Sequence, residues 1–161
     1  GRIKEYVQRV SGAEYHEGCH GIWTIPCDIA LPCATQNDVN MEWAKKIAES
    51  GVPYYIEVGN MPTTNDALAF LMSQKHLTVA PSKAVNACGV SVSELEMAQN
   101  AQRIYWSAEE VDAKMESIMK NIYDASVEAA ERYGLGYNLV AGANIAGFQK
   151  VADAMMAQGI F

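Results

Sequence analysis

Three segments of this chain repeat one arrangement, a short β-prone apolar run followed at once by a knot of small polar residues: Cys27–Asn37 (CDIALPCATQN), Val52–Thr64 (VPYYIEVGNMPTT) and Leu77–Val90 (LTVAPSKAVNACGV). Strands separated by helix-length stretches are joined by crossover connections, so the sheet they form is parallel. In an open parallel sheet, ligands sit in the crevice beyond the carboxyl ends of the strands, where these knots fall. Amides, hydroxyls and glycine at three strand ends make a polar crevice, which a simple scaffold does not need. Neither a G-x-G-x-x-G fingerprint nor a Walker-type loop occurs anywhere in the chain.

The rest of the chain fills in around those runs. Gly1–Val10 reads as a helix tail with Ile3, Tyr6, Val7 and Val10 on one stripe, and Ser11–Pro26 as turn-rich loop with a short edge strand. Strands are expected over Cys27–Leu31, Tyr54–Val58 and Leu77–Ala80. Helices are expected over Val39–Ser50, closed by Gly51, and over roughly Asp66–Ser73, capped by Thr63 or Thr64. From Ala84 onward the pattern is helical. Gly89–Tyr105 is one helix, with Val90, Leu95, Met97 and Ala98 as its packing residues. Ser107-Ala108-Glu109-Glu110 is a capping box that starts a second helix, stopped by Gly134, and Asn138 caps a third, Leu139–Gln158. The fold class is α/β: part of a parallel sheet followed by a C-terminal helical segment. It reads as the second half of a nucleotide-binding fold. The abrupt start, with no methionine or signal peptide, fits a portion of a longer protein.

With 161 residues, 50% hydrophobic and 19% charged, the chain suits one domain core and is too apolar to be disordered. A formal charge of −7 disfavours nucleic acid and anionic membranes, which require concentrated Lys and Arg. No apolar stretch approaches the roughly 20 residues of a membrane span. Cys19, Cys27, Cys33 and Cys88 lack the paired spacing of a zinc site, as does the nearest mixed set, His16, Cys19, His20 and Cys27, so no metal is expected. Cys27 and Cys33 flank an apolar strand and read as small buried thiols, a usage that fits a reducing cytoplasm.

Thr35, Gln36 and Asn37 follow the first strand, where they either cap the next helix or bind a carboxamide, ribose or pyrophosphate without adding charge. Gly59 lets the backbone approach a ligand and Pro62 fixes the turn; one threonine suffices as a cap, so Asn60 either points into the crevice or holds the turn. In the third knot, helical spacing puts Gly89, Val90 and Ser93 on a first turn, whose free amides and hydroxyl would bind a carboxylate or phosphate. The plainer alternative is a serine bonding its own backbone. Glu57 reads as a solvated or paired carboxylate rather than a general base. His16, His20 and His76 have no acid or thiol at nucleophile spacing, and Lys83 is either a surface lysine or one that approaches a phosphate or carboxylate.

Taken in order from Gly1 to Phe161, several motifs resemble the hexameric bacterial glutamate dehydrogenases. They are P-C-A-T-Q-N, G-N-M-P-T-T, A-P-S-K-A-V-N-A-x-G-V, L-E-M-A-Q-N, the S-A-E-E-V-D helix and Y-N-L-V-A-G-A-N-I-A-G-F-Q-K-V-A-D-A-M-M-A-Q-G. The resemblance implies that residues 1–106 are the later part of a Rossmann-like NAD(P)-binding domain and that residues 107–161 are terminal helices packing back toward a substrate domain. That domain carries the family's catalytic lysine and aspartate, so no catalytic residue is expected in this chain. By the same resemblance, Ser93 binds the side-chain carboxylate of glutamate and Val90 packs on its methylenes. Asn60 and Asn86 lie beside the nicotinamide ribose and the reacting substrate, and Ala34, Thr35 and Gln36 line the coenzyme. The chain departs from the family at Cys88, where glycine is usual, and at Gly59, where alanine is frequent.

The implied activity is oxidative deamination of L-glutamate to 2-oxoglutarate and ammonium with NAD or NADP, in a cytoplasmic homohexamer, with neither nucleic acid nor membrane as a partner. A non-catalytic nucleotide-binding or assembly module is the alternative from another class. A leucine- or phenylalanine-type dehydrogenase is the nearer one. Ser93 argues against the latter, because a pocket for an apolar side chain has no use for a hydroxyl there.

Overall fold

The three apolar runs pair as a parallel sheet, β1 (Ile29–Ala30), β2 (Tyr54–Ile56) and β3 (Thr78–Ala80), in the spatial order β1-β2-β3. The structure is a computed structural model that describes residues 3–18 and 21–159. Gly1, Arg2, Cys19, His20, Ile160 and Phe161 lie outside the described residues. Each strand is shorter than its apolar run because the backbone leaves the ladder to lace the following loops together. The Glu57 amide still reaches the Ala80 carbonyl at 3.0 Å, but the Val58 and Gly59 amides both turn to Pro32 O, at 3.2 and 2.9 Å.

Helices α1 (Met41–Glu49) and α2 (Asn65–Met72) connect the strands. Register places Ala30 beside Tyr55 and Tyr55 beside Val79, one row on one face of the sheet. That row is buried with Val39, Ala44, Ile47, Ala67 and Leu71 to form the core. Tyr55 is wholly buried, its hydroxyl 2.7 Å from Thr63 Oγ1, and burial pushes its pKa well above the ordinary phenol range.

Both connecting helices start differently from expectation. Asn40 caps α1, its Oδ1 accepting from the Glu42 and Trp43 amides at 3.0 and 3.2 Å, while Val39 is held outside the helix in a parallel bridge to Thr63. Thr64 occupies the cap position of α2, but its hydroxyl donates to Asp66 Oδ1 at 2.6 Å and accepts no helix amide. That bond lowers the Asp66 pKa. Thr63 is engaged by Tyr55, so neither threonine caps through its side chain.

The helical segment consists of α3 (Ser82–Val85), α4 (Ala87–Gln102), α5 (Ala108–Arg132) and α6 (Leu139–Gln158). The capping box forms as expected: the Ser107 amide donates to Glu110 Oε2 at 2.8 Å and the Glu110 amide to Ser107 Oγ at 3.2 Å. Asn138 Oδ1 caps α6 through the Ala141 amide at 3.0 Å. Helices α5 and α6 touch backbone to backbone at Gly142, where an added Cβ would run into the Ser126 carbonyl, 2.8 Å from its carbon. The hydroxyl of Tyr123, within α5, meets that of Tyr137, in the connection to α6, at 2.8 Å, and that bond chiefly raises the Tyr137 pKa to about 12.

Other expectations fail for want of neighbours. The helix tail is a 3₁₀ turn over Ile3–Gln8 with no buried residue, and a second such turn, Gly21–Thr24, stands where an edge strand was expected. Among the described residues, 11–26 contain no strand. Cys27 and Cys33 are exposed because β1 is too short to carry either into the sheet. In α4, Val90 and Met97 face outward, and the buried residue is Ser91. No helix of the described residues is long and apolar enough to cross a membrane.

Candidate functional site

The loops beyond β1 and β2 are stitched into one rim by backbone bonds. Asn37 N donates to Met61 O and Val39 N to Pro62 O, both at 2.9 Å, and Thr64 N donates to Val39 O at 3.0 Å. Asn37 and Met61 take left-handed backbone angles, φ 56° and 49°, to make the sharp turns this requires. Thr35, Gln36 and Ala34 stand exposed on the β1 side of this rim and Asn60 on the β2 side. Thr35 and Gln36 do not cap α1, a task that falls to Asn40. At Gly59 an added Cβ would meet Pro32 O at 3.4 Å, ordinary contact distance, so the turn does not demand glycine.

The third knot crosses to this rim. The half-buried Asn86, at the joint between α3 and α4, donates through Nδ2 to Asn60 Oδ1 at 2.6 Å. Because α4 starts at Ala87, two residues earlier than expected, Ser93 lies on its second turn and not its first. The free-amide anion site expected around Gly89 is therefore absent: the Gly89 amide already donates to Asn86 O at 3.2 Å. Ser93 Oγ donates to Gly89 O at 3.3 Å, the back-bond of a helical serine, and stays exposed. Asn86, Val90 and Ser93 are spaced i, i+4, i+7 and so share one face of α4, with Val90 69% exposed. An amide, an isopropyl group and a hydroxyl thus form a neutral row opening beside the strand-end rim.

Glu57 holds this third knot in place, a role its sequence context did not reveal. It is 3% exposed, and its Oε2 accepts from the Ser82 amide at 3.2 Å, so a carboxylate from the end of β2 caps α3. It is buried, not solvated, and its partner is backbone. The isolated acid after an apolar strand was the signal available, but its partner lies 25 residues away. Lys83 points elsewhere, donating to the Asn144 amide on α6. His16 and His76 are exposed and stand outside the rim.

Such a rim of exposed amides, hydroxyls and apolar contacts, without a charged group among its named members, can hydrogen-bond a ribose or carboxamide and seat a methylene chain.

The family model for Glutamate/Leucine/Phenylalanine/Valine dehydrogenase matches residues 1–159. The chain is 60% identical over 159 residues to the NAD-specific glutamate dehydrogenase of Clostridium symbiosum and 49% identical over 160 residues to the NADP-specific glutamate dehydrogenase of Escherichia coli. Each match covers 99% of this chain and 35% of the relative, so the chain spans about a third of the length of these curated relatives. The crystal structure of Plasmodium falciparum glutamate dehydrogenase superposes with a TM-score of 0.94 at 47% identity, over 100% of this chain and 34% of that one. This chain belongs to the Glutamate/Leucine/Phenylalanine/Valine dehydrogenase family.

Proposed function

We propose that this chain forms one wall of the active-site cleft of a glutamate dehydrogenase, which interconverts L-glutamate and 2-oxoglutarate plus ammonium with NAD or NADP. Residues 1–106 serve as the later part of the coenzyme domain, and residues 107–161 as terminal helices that pack toward the substrate domain. The complete protein is a cytoplasmic homohexamer in this reading. The observation that carries it is the 2.6 Å bond between Asn86 and Asn60, with Val90 and Ser93 continuing the Asn86 row along α4. Support also comes from relatives named for both coenzymes.

The donor set fits a nicotinamide coenzyme: Thr35, Gln36, Asn60 and Asn86 offer neutral donors and acceptors at strand ends, where a dinucleotide lies in this fold class. Ala34, Thr35 and Gln36 line it, and Asn60 and Asn86 sit beside its ribose and the reacting substrate. When bound, the coenzyme supplies a hydride acceptor. The Ser93 hydroxyl turns from the Gly89 carbonyl to donate to the distal carboxylate of glutamate, and Val90 packs on the substrate's methylenes. A hydrogen bond at the carboxylate and a packing contact on the adjoining methylenes fix which carbon faces the coenzyme. The proton acceptor comes from outside this chain, on the substrate domain.

The test has two arms. The purified chain alone gives no glutamate-dependent reduction of NAD or NADP; turnover above background would sink the reading. The complete enzyme prefers L-glutamate over L-leucine and L-phenylalanine in kcat/KM, and Ser93→Ala narrows that preference. Equal preference before and after the substitution would remove Ser93 from the substrate pocket.

A further inference from the structure

Behind the α3–α4 joint, α3, α4, α5 and α6 border an open cavity of about 370 Å³. Short aliphatic side chains make its walls: Ala84 and Ala87 from the α3–α4 joint, Ile118 and Ala125 from α5, Ala143 and Ala146 from α6. Its size falls within the range of small-molecule sites, about 300–1,000 Å³. None of Asn86, Val90 and Ser93 lines it.

The charged groups around this cavity are both cationic. Lys83, Asn121 and Lys150 contribute donors, and no aspartate or glutamate lines it. Ser126 also borders it, but its hydroxyl already donates to Ile122 O at 2.7 Å. Four basic side chains elsewhere pair with carboxylates: Lys4 with Glu17, Lys46 with Glu49, Lys120 with Asp124 and Arg132 with Glu128. Lys83 instead donates to the neutral Asn144 amide oxygen, and among the described residues neither Lys83 nor Lys150 has a carboxylate partner. Two ammonium groups and an amide beside an apolar cavity match an anion that carries an apolar body.

We propose that this cavity binds an organic carboxylate with a compact apolar body. The body lies against the alanine walls between α5 and α6, where removal from water drives binding. The carboxylate sits between Lys83 and Lys150, with Asn121 as a third donor, in charge-assisted hydrogen bonds. A bare anion leaves the apolar walls unfilled, and a neutral isostere leaves the lysines unmatched. The site therefore discriminates on both counts.

Isothermal titration of the full chain with 3-phenylpropionate, its uncharged amide and inorganic phosphate tests this. The carboxylate binds saturably at one site, with the amide and phosphate each at least tenfold weaker. Lys150→Met weakens the carboxylate at least tenfold, and Lys150→Arg restores most of the affinity. Gly147 borders the cavity, and a Cβ placed on it meets no atom within 4 Å. Gly147→Leu therefore fills the space without disturbing the fold, and it abolishes binding while the melting temperature holds or rises. Any of the following overturns the proposal: no saturable binding of the carboxylate, equal binding of the amide or of phosphate, or full affinity in folded Lys150→Met or Gly147→Leu.

Discussion

Asn86 Nδ2 donates to Asn60 Oδ1 at 2.6 Å, tying the joint between α3 and α4 to the loop beyond β2 across 26 residues of sequence. The direction of this bond makes the two amides unequal. Asn60 needs only an acceptor, which aspartate also offers. Asn86 needs a donor, which aspartate lacks at neutral pH.

Asn60→Asp therefore keeps the bond and strengthens it with charge, whereas Asn86→Asp sets a carboxylate against an amide oxygen. Asn60 is exposed and Asn86 half-buried, so in the complete enzyme both variants melt within a few degrees of the parent, Asn86→Asp lower. Both place a negative charge beside a substrate that carries two carboxylates, and kcat/KM for glutamate drops at least tenfold, more for Asn86→Asp. Circular dichroism melts with steady-state kinetics check this. Large losses of melting temperature with intact kcat/KM would make the pair scaffold.

Ser93 donates to Gly89 O at 3.3 Å from an exposed position, a bond a helix does not require. Ser93→Ala leaves stability within about 0.5 kcal/mol. A hydroxyl bonded to a carboxylate contributes roughly 1.5–3 kcal/mol, so kcat/KM for glutamate falls about ten- to a hundredfold while coenzyme affinity stays put. Unchanged glutamate kinetics would return Ser93 to its own helix.

What could be read in advance divides by range. The Ser107–Glu110 box and the Asn138 cap are signals within three or four residues, and both formed as expected. So did the order of the three sheet strands and the two helices that connect them, with Asn60 in the loop beyond β2, whereas Asn86 is separated from β3 by α3. Glu57 capping Ser82 and Thr63 serving Tyr55 instead of α2 depend on partners brought together only by the sheet. Tertiary pairing took both residues away from their local roles. Val90 and Met97 face outward, so helical spacing alone assigned them to a core.

At Gly142, α5 and α6 lie so close that any Cβ there meets the Ser126 backbone. Backbone cannot rotate aside as a side chain can, so Gly142→Ala must push the helices apart. Overpacking of this kind costs about 1–3 kcal/mol, more than the gain in helix propensity of roughly 1 kcal/mol. The melting temperature falls by several degrees. Gly147→Ala, on the same helix but with open space at its Cβ, gains stability instead. Opposite signs in a paired thermal melt are the expected result; equal shifts would mean that the close approach at Gly142 does not constrain the helices.

Tyr55 and Thr63 make a pH-dependent contribution that can be isolated. The Tyr55 hydroxyl is buried 2.7 Å from Thr63 Oγ1, and burial first, then the nearby Glu57 and Asp38 charges, raise its pKa against the opposing pull of the Thr63 bond. A raised pKa in an acidic group means that the fold favours the protonated form. Below about pH 10, the ordinary phenol value, both folded and unfolded chains are protonated and stability is unaffected. Above it, the unfolded chain releases the proton while the folded chain holds it, and stability falls by up to about 1.4 kcal/mol per pH unit. Tyr55→Phe removes one proton's worth of that slope between pH 10 and 11, and Tyr137→Phe less, because Tyr137 is exposed. At neutral pH, Thr63→Val leaves the buried hydroxyl unpaired and costs about 1–3 kcal/mol. Urea unfolding at pH 7, 10 and 11 separates the two effects, and a Tyr55→Phe variant with the parent's slope above pH 10 would show that the buried phenol titrates as it does in water.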